Sequence, residues 1–235
     1  MWLRLRGGLF WFGFIIITII LTSIISLSFI FPIGFRYRLA RLWSNLILGW
    51  LKLSCGLSYE VVGLEHTKNL KSAVIMGNHQ STWETIACQL WFEPTVWVVK
   101  RELMWIPIFG WALAFLRPIA ITRQKGKKAV EQLLGMGTER LAQNSFIIIF
   151  PEGTRVPYGG KARYKIGGAL LAAKTGAPVI PFAHNAGKFW AKRKIIKKPG
   201  CVKVVFGKPI YTQGLSPEEI NRQVETWIRS TQETL

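Results

Sequence analysis

A run of uncharged residues near the amino terminus sets the first limit on the structure of this chain. No charged residue occurs between Gly7 and Phe35, and the central part, from Leu9 to Ile33, is almost entirely apolar. Because about 20 apolar residues in a helix cross a bilayer, we expect a membrane-attached helix here. A signal peptide has a shorter apolar region of about 7–15 residues and a small-residue cleavage site, which is not evident. A buried helix of a soluble core is the other alternative.

A second apolar stretch follows, from Leu39 to Leu57, and it carries Arg41 and Lys52. We expect it to form an amphipathic helix that lies against the membrane or packs back on the first helix. Basic residues flank the first run on both sides, so the positive-inside rule gives it no clear orientation. One true span and two helices that dip into a single leaflet both fit the pattern.

The charge of the chain narrows the class of partner. Thirty-one Lys and Arg stand against twelve acids, which gives a formal charge of +19, and half of the residues are hydrophobic. A protein that is both apolar and basic suits anionic membrane lipids or anionic ligands. Nucleic acid explains the apolar excess poorly, and no nucleic-acid-binding motif is present, so we expect no nucleic-acid partner. The basic remainder favours a catalytic domain on the cytoplasmic side of the membrane.

The acidic and sulfur-containing residues exclude several chemistries. All twelve acids are Glu, so there is no Asp for a Walker B motif, an EF-hand or an aspartyl-phosphate intermediate. The three cysteines, Cys55, Cys88 and Cys201, have no metal-ligand spacing, and we interpret them as unpaired thiols in a reducing compartment. No metal site is expected.

After Tyr59 short β-branched runs alternate with helical stretches. This alternation predicts an α/β fold with a largely parallel central sheet flanked by helices. Residues 1–57 would form the membrane-attachment helices and residues 58–235 the α/β domain. Helices are expected from Lys127 to Gln143, from Ile166 to Lys174, and after the N-cap residue Ser216. The seven predicted strands begin at Tyr59, Ala73, Thr95, Pro118, Phe146, Pro178 and Val202.

Two predicted strand ends carry chemically reactive residues, at the edge where sites collect in α/β sheets. After the strand from Ala73 come Asn78 and His79, with Glu84 five positions further on. If a helix begins near Ser81, Glu84 lies in its first turn and its carboxylate can reach back to the imidazole of His79, a candidate general base. The alternative is that Ser81 and Glu84 form a capping box and His79 is an ordinary loop residue.

The second strand end with chemically reactive residues has the sequence FPEGTR, from Phe150 to Arg155. Gly153 permits close approach of the backbone to a ligand, Thr154 offers a hydroxyl, and Arg155 has a planar guanidinium suited to phosphate. An ordinary turn with a solvated arginine is the alternative.

Together the two motifs resemble the glycerophospholipid acyltransferase family, with the bacterial 1-acyl-sn-glycerol-3-phosphate acyltransferases as the closest group. Two more blocks match in order: Val98 to Arg123, and Val179 to Gly187 around Pro181. The resemblance covers most of the chain after Val74. Two positions depart from the family pattern, since Glu84 replaces the usual Asp of the first block and Thr122 the usual Asp before Arg123.

The resemblance implies an enzyme that moves a fatty acyl group from a thioester to the sn-2 hydroxyl of lysophosphatidic acid, without a covalent acyl-enzyme. His79 would deprotonate the hydroxyl and Glu84 would orient His79. The thioester would be carried by acyl carrier protein or coenzyme A, with no cofactor, at the bacterial inner membrane. Substrate phosphate binding would fall to Arg155, Lys100 and Arg123, with Gly153, Thr154 and Glu152 beside them.

Four questions stay open from the sequence. Another lysolipid, such as a lyso-ornithine lipid, is a rival acceptor, and a non-catalytic lipid-binding protein is a rival class. The stretch from Met104 to Leu116 lines an acyl tunnel or belongs to the core. From Gly153 to Pro217 there are thirteen Lys and Arg and no acid; they form a solvated face, or dock onto anionic lipids or acyl carrier protein. The densest group is Lys188, Lys192, Arg193, Lys194, Lys197 and Lys198.

Overall fold

The computed structural model describes residues 1–122 and 126–235 and has a seven-stranded sheet at its centre. Its spatial order is β1-β7-β6-β2-β5-β3-β4, and every neighbouring pair is parallel except β6 with β7. The predicted α/β fold with a largely parallel sheet is therefore confirmed. The strands are β1 Leu57–Val62, β2 Ala73–Gly77, β3 Thr95–Lys100, β4 Ile119–Ile121, β5 Phe146–Ile149, β6 Val179–His184 and β7 Gly200–Phe206.

Helices cover both faces of the sheet. The final helix begins as predicted, because the hydroxyl of Ser216 accepts a hydrogen bond from the N–H of Glu219 at 3.1 Å and Pro217 occupies the first helical position. The two other predicted helices are present within one residue of their expected bounds. Along the described part of the chain the helices are α1 Trp2–Leu27, α2 Ile33–Cys55, α3 Trp83–Ala87, α4 Phe109–Phe115, α5 Gly126–Ala142, α6 Gly167–Thr175, α7 Ala186–Phe189 and α8 Pro217–Glu233.

Alternate residues of the central strands feed two hydrophobic cores, as the period of two in a strand requires. In β2, Ile75 faces a core that it shares with Leu51 of α2, whereas Val74 faces a core that it shares with Leu133 of α5. Both faces of the sheet are thus buried, which is the usual condition of a parallel sheet. The amino-terminal helices supply part of the first core through Phe10, which is fully buried.

The first two helices form an antiparallel hairpin, so the prediction that the second helix packs back on the first is confirmed. The indole N–H of Trp43 donates to Thr18 Oγ1 at 3.0 Å, and that of Trp50 donates to the carbonyl of Phe10 at 3.2 Å. The apolar run from Leu9 to Ile33 is not one helix, since α1 ends at Leu27. Pro32 forces the preceding residue into an extended conformation and starts a new helix.

The hairpin lies along the α/β domain rather than projecting from it. In the first half of α1, the ring of Phe10 contacts Trp190 at 5.2 Å between centroids. Just after the end of α1, Phe29 stacks on Phe115 at 6.4 Å between centroids. Residues Trp2–Ile30 are long and apolar enough to cross a membrane. The outer face of the hairpin is apolar and exposed, which suits association with a membrane.

Candidate active site

His79 and Glu84 meet at the carboxyl end of β2, as the sequence predicted if the helix starts late. Because α3 begins only at Trp83, His79 lies in the preceding loop and Glu84 in the first turn. The distance from His79 Nδ1 to Glu84 Oε1 is 2.8 Å. The carboxylate oxygen is an acceptor, so Nδ1 carries the proton and Nε2 is left with a lone pair. Phe150 stacks on the His79 ring at 4.3 Å and fixes its plane.

Glu84 also binds the backbone of the turn before α3, whereas the predicted capping box is not formed, because the N-cap is Thr82 and no side chain caps the helix. Its Oε1 accepts the N–H of Gln80 at 2.8 Å and the N–H of Ser81 at 2.7 Å. Burial by itself raises the pKa of this carboxyl, but His184, His79 and the N–H of Ser81 outweigh burial and hold the pKa below its ordinary value. A buried carboxylate that stays ionised can stabilise an imidazolium at His79.

A second histidine, which the sequence reasoning missed, supports the loop from behind. His184 is fully buried at the end of β6, and its Nε2 donates to the carbonyl of Asn78 at 2.8 Å. Its Nδ1 accepts the N–H of Ala186 at 3.2 Å. The Asn78 amide pairs with the His184 backbone in both directions, at 2.9 and 3.0 Å. These bonds fix the ends of β2 and β6 against each other and so fix the start of the His79 loop.

The carboxylate of Glu152 contacts the backbone of the His79 loop. Its Oε2 accepts the backbone N–H of His79 at 2.9 Å, and its side chain is buried. Burial raises the pKa of Glu152 to about 7. The neighbouring Val156 N–H donates to the His79 carbonyl at 2.7 Å. Glu152 of the FPEGTR segment and Val156, which follows the segment, therefore hold the backbone N–H and carbonyl of His79.

The next three residues of that segment line the same cavity as His79. Gly153 has a φ of 68°, a left-handed conformation that glycine adopts without strain. The guanidinium of Arg155 donates to Thr82 Oγ1 at 2.8 Å, which holds it beside the first turn of α3. The structure thus brings Gly153, Thr154 and Arg155 together with His79.

Lys100 lies at the end of β3 and also lines this cavity, with its Nζ 3.2 Å from Glu102 Oε1. Arg123, the third predicted phosphate ligand, falls outside the described residues. Two cations that were not singled out as phosphate ligands, Lys192 and Arg193, line the cavity as well. They belong to the acid-free basic stretch, and only the tertiary structure places them here.

The cavity has a volume of about 850 Å³ and runs from the polar cluster at His79 into an apolar interior. Its apolar wall follows α1 from Trp11 to Ile25, a length of about 21 Å at 1.5 Å per residue. The stretch from Met104 to Leu116 divides between two environments. Its cavity-lining members are Phe109, Ala112, Leu113 and Leu116, whereas Trp105 and Trp111 are exposed on the outer surface, beside the hairpin.

Comparison with known proteins gives consistent matches. The profile of the family described as Acyltransferase matches residues 58–185. The chain is 43% identical over 206 residues to the 1-acyl-sn-glycerol-3-phosphate acyltransferase of Pseudomonas aeruginosa, covering 86% of this chain and 80% of the relative. It is 27% identical over 194 residues to the human 1-acyl-sn-glycerol-3-phosphate acyltransferase beta, covering 80% and 70%.

The fold also matches a solved structure. The crystal structure of the 1-acyl-sn-glycerophosphate (LPA) acyltransferase PlsC from Thermotoga maritima superposes with a TM-score of 0.82. The match covers 98% of this chain and 94% of that chain, at 21% sequence identity. At this identity the likeness supports the fold, including the amino-terminal helices, and carries no residue roles.

Proposed function

The chain belongs to the acyltransferase family, and on that basis we propose that it transfers a fatty acyl group from a thioester to the sn-2 hydroxyl of 1-acyl-sn-glycerol-3-phosphate, making phosphatidic acid. One observation carries the proposal. The hydrogen-bonded pair of His79 and Glu84 lies in the same cavity as Arg155, and that cavity continues into a long apolar interior. A base, a cation and an apolar channel are the parts that this reaction needs.

The proposed chemistry uses the free nitrogen of His79. The hydroxyl oxygen of the acceptor attacks the thioester carbonyl while Nε2 of His79 takes the hydroxyl proton. The carbon–sulfur bond of the resulting tetrahedral intermediate breaks, and the imidazolium returns its proton to the departing thiolate. Glu84 holds the tautomer through Nδ1 and stabilises the imidazolium. No enzyme-bound acyl group is formed.

The polar end of the cavity suits the phosphate of the acceptor. Arg155, Thr154 and Lys100 line this end, and a guanidinium with neighbouring hydroxyl and ammonium groups is a usual phosphate site. Arg123 remains a predicted fourth group. Glu152 would act indirectly in this scheme, since its carboxyl holds the backbone of His79.

The apolar interior suits the acyl chain of the donor. Its wall is formed largely by α1, α2 and α4, which also present exposed apolar residues on their outer surfaces. The protein would work at the bacterial inner membrane with the domain facing the cytoplasm, where acyl carrier protein or coenzyme A supplies the thioester. Anionic lipids would attract the basic domain.

The test is an assay of purified protein in mixed micelles with a panel of lysolipids and both donor types. We expect lysophosphatidic acid to be acylated at sn-2. His79→Ala should lower kcat by about 10²–10⁴-fold, the usual contribution of a general base, and leave micelle binding intact. His66→Ala is the matched control, since His66 bonds the carbonyl of Phe206 away from the cavity.

Two outcomes would overturn the proposal. Acylation of a phosphate-free acceptor such as a lyso-ornithine lipid, with none of lysophosphatidic acid, would remove the phosphate roles of Arg155 and Lys100. Equal rates for the wild type and His79→Ala would remove His79 as the base.

A further inference from the structure

The basic segment from Lys188 to Lys198, called here the basic loop, is not one uniform surface. Lys192 and Arg193 line the catalytic cavity, Lys194 is exposed to solvent, and Lys197 is fully buried. Neither alternative given for these charges, a solvated face or a docking surface, therefore applies to Lys197. The loop lies between the catalytic cavity and α1.

Lys192 points at the FPEGTR segment. Its Nζ is 3.5 Å from Thr154 Oγ1 and 3.3 Å from the carbonyl of Arg155. Within residues 1–122 and 126–235, no ion pair to a carboxylate is formed by Lys192. An ammonium beside Arg155 adds a second positive charge that the protein does not neutralise. A cavity end with two such cations favours a ligand that carries at least one negative charge, and a phosphate monoester carries close to two at neutral pH.

Lys197 is held in a cage of three aromatic rings. Its Nζ lies 4.6 Å from the ring centroid of Phe10, 4.2 Å from Trp11 and 5.0 Å from Trp190. It also donates to the carbonyl of Ile195 at 2.8 Å. Cations within about 6 Å of a ring face are attracted by the ring quadrupole, more strongly when they are desolvated. The cage therefore fixes the carboxyl-terminal half of the basic loop onto α1.

The remaining contacts leave the loop little freedom. The N–H of Lys198 donates to the carbonyl of Phe189 at 2.9 Å, which closes the segment on itself. A side-chain carbon at Gly7 would lie 2.6 Å from the carbonyl oxygen of Ile195, so α1 and the loop approach as closely as glycine permits. Trp11 of α1 connects the cage to the cavity, since its ring contacts Lys197 and also lines the cavity. The position of Lys192 thus depends on α1.

From these contacts we propose that Lys192 binds the phosphate of the acceptor together with Arg155, and that caged Lys197 is the positioning residue that holds Lys192 there. The inference rests on the proposed function and names a further ligand of the same site. It also gives the amino-terminal helix a role in substrate binding besides membrane attachment, because α1 supplies two rings of the cage.

The first test compares Lys192→Ala with the matched control Lys194→Ala, which removes an equal charge from the exposed part of the same loop. Both are assayed in mixed micelles of fixed composition, with lysophosphatidic acid and the thioester donor varied separately. We expect Lys192→Ala to raise the KM for lysophosphatidic acid by about tenfold, the loss of one charge-assisted contact, with the KM for the donor unchanged. Lys194→Ala should change neither.

The second test is Lys197→Met, which keeps an unbranched chain among the rings and removes the ammonium. We expect a several-fold rise in the KM for lysophosphatidic acid with kcat preserved. Combined with Lys192→Ala, its effect on that KM should largely disappear, because a positioning residue has nothing left to position. A thermal unfolding curve of each variant separates this result from general loss of structure.

The outcomes distinguish this inference from the proposed function. If the wild type does not acylate lysophosphatidic acid, the proposed function fails first. If it does, and Lys192→Ala raises the KM for the donor instead, Lys192 binds a phosphate of the donor and the inference is wrong. Additive effects of Lys197→Met and Lys192→Ala would likewise remove the positioning role of Lys197.

Discussion

At the scale of single residues, Glu84 shows how one carboxylate serves two purposes. Its Oε1 accepts from the His79 ring and from two backbone N–H groups in the turn before α3. The side chain of Glu84 reaches from the first turn of α3 back to the loop that carries His79, so this contact depends on the length of the side chain.

The dependence on side-chain length predicts the effect of Glu84→Asp. The change withdraws the carboxylate by about 1.5 Å, beyond hydrogen-bonding distance of the His79 ring. Since a misplacement of about 1 Å near the reacting groups can cost about 10²-fold in rate, we expect kcat to fall by that order, with the KM values little changed. Steady-state kinetics would check this, and wild-type rates in the variant would show that the turn adjusts to the shorter residue.

Glu152 connects the FPEGTR segment to the backbone of His79, and its contribution to the free energy of unfolding depends on pH. Burial raises its pKa to about 7 from an ordinary value of 4.5. The folded protein therefore binds this proton more tightly than the unfolded chain does. Its contribution to stability is fully present below about pH 4.5 and is lost as the pH rises through 7.

Glu152→Gln should remove this pH dependence. The amide keeps an oxygen that can accept the His79 N–H, and it carries no charge. We expect the free energy of unfolding of the variant, relative to the wild type, to rise between pH 5 and pH 8 by up to about 3 kcal/mol. Denaturant unfolding in detergent at several pH values would measure the slope. Parallel curves for the two proteins would contradict the raised pKa.

At the scale of elements, α1, α2 and α4 are shared between membrane attachment and the cavity. Their outer residues are exposed and apolar, while inner residues such as Ile25 of α1 and Ala112 of α4 line the cavity. The same helices can therefore hold the protein on the membrane and surround an acyl chain. Exposed Trp105 and Trp111 extend the apolar outer surface beyond the hairpin.

The shared wall predicts that filling the far end of the cavity changes chain-length preference. Ala112→Leu adds three carbons beside Ile25, at the end away from His79. We expect the preferred donor chain to become shorter, with little loss of rate for short-chain donors, because the cavity near His79 is unchanged. Ala114→Leu is the control, since Ala114 is on the exposed face of α4. An unchanged donor profile in Ala112→Leu would show that the acyl chain lies elsewhere.

At the scale of the whole molecule, the charge of +19 acts with the apolar hairpin. Burial of Lys197 and the cavity positions of Lys192 and Arg193 reduce the basic surface that remains for docking. The other exposed lysines and arginines would attract an anionic surface, each contributing about 1 kcal/mol when close to it. We therefore propose that attachment has an electrostatic part and an apolar part.

These two parts predict different responses to salt. Binding to vesicles with anionic lipid should weaken as the NaCl concentration rises, since the Debye length falls from about 10 Å at 0.1 M to about 3 Å at 1 M. Binding to zwitterionic vesicles should change little, because the hairpin provides it. Sedimentation of the protein with each vesicle type would measure this. Salt-sensitive binding to zwitterionic vesicles would contradict the division.

Features that depend on neighbouring residues could be predicted from the sequence. The uncharged run from Gly7 to Phe35 indicated membrane attachment, all seven strands were predicted from their β-branched runs, and Ser216 marked the last helix. It also placed His79 and Glu84 within reach of each other, because five positions and one turn decide that distance. Such features follow from backbone geometry and burial over a few residues.

Contacts between segments that are far apart in the sequence are seen only in the tertiary structure. Glu152 turned out to hold the backbone of His79, 73 positions away, and Lys197 turned out to be caged by rings from α1 and Trp190. The apolar pattern of α1 does not show how the helix packs on the domain. That packing is given by contacts such as Phe10 with Trp190 and Phe29 with Phe115. Contacts of this kind form only when the whole sheet and its helices have assembled, so no local pattern encodes them.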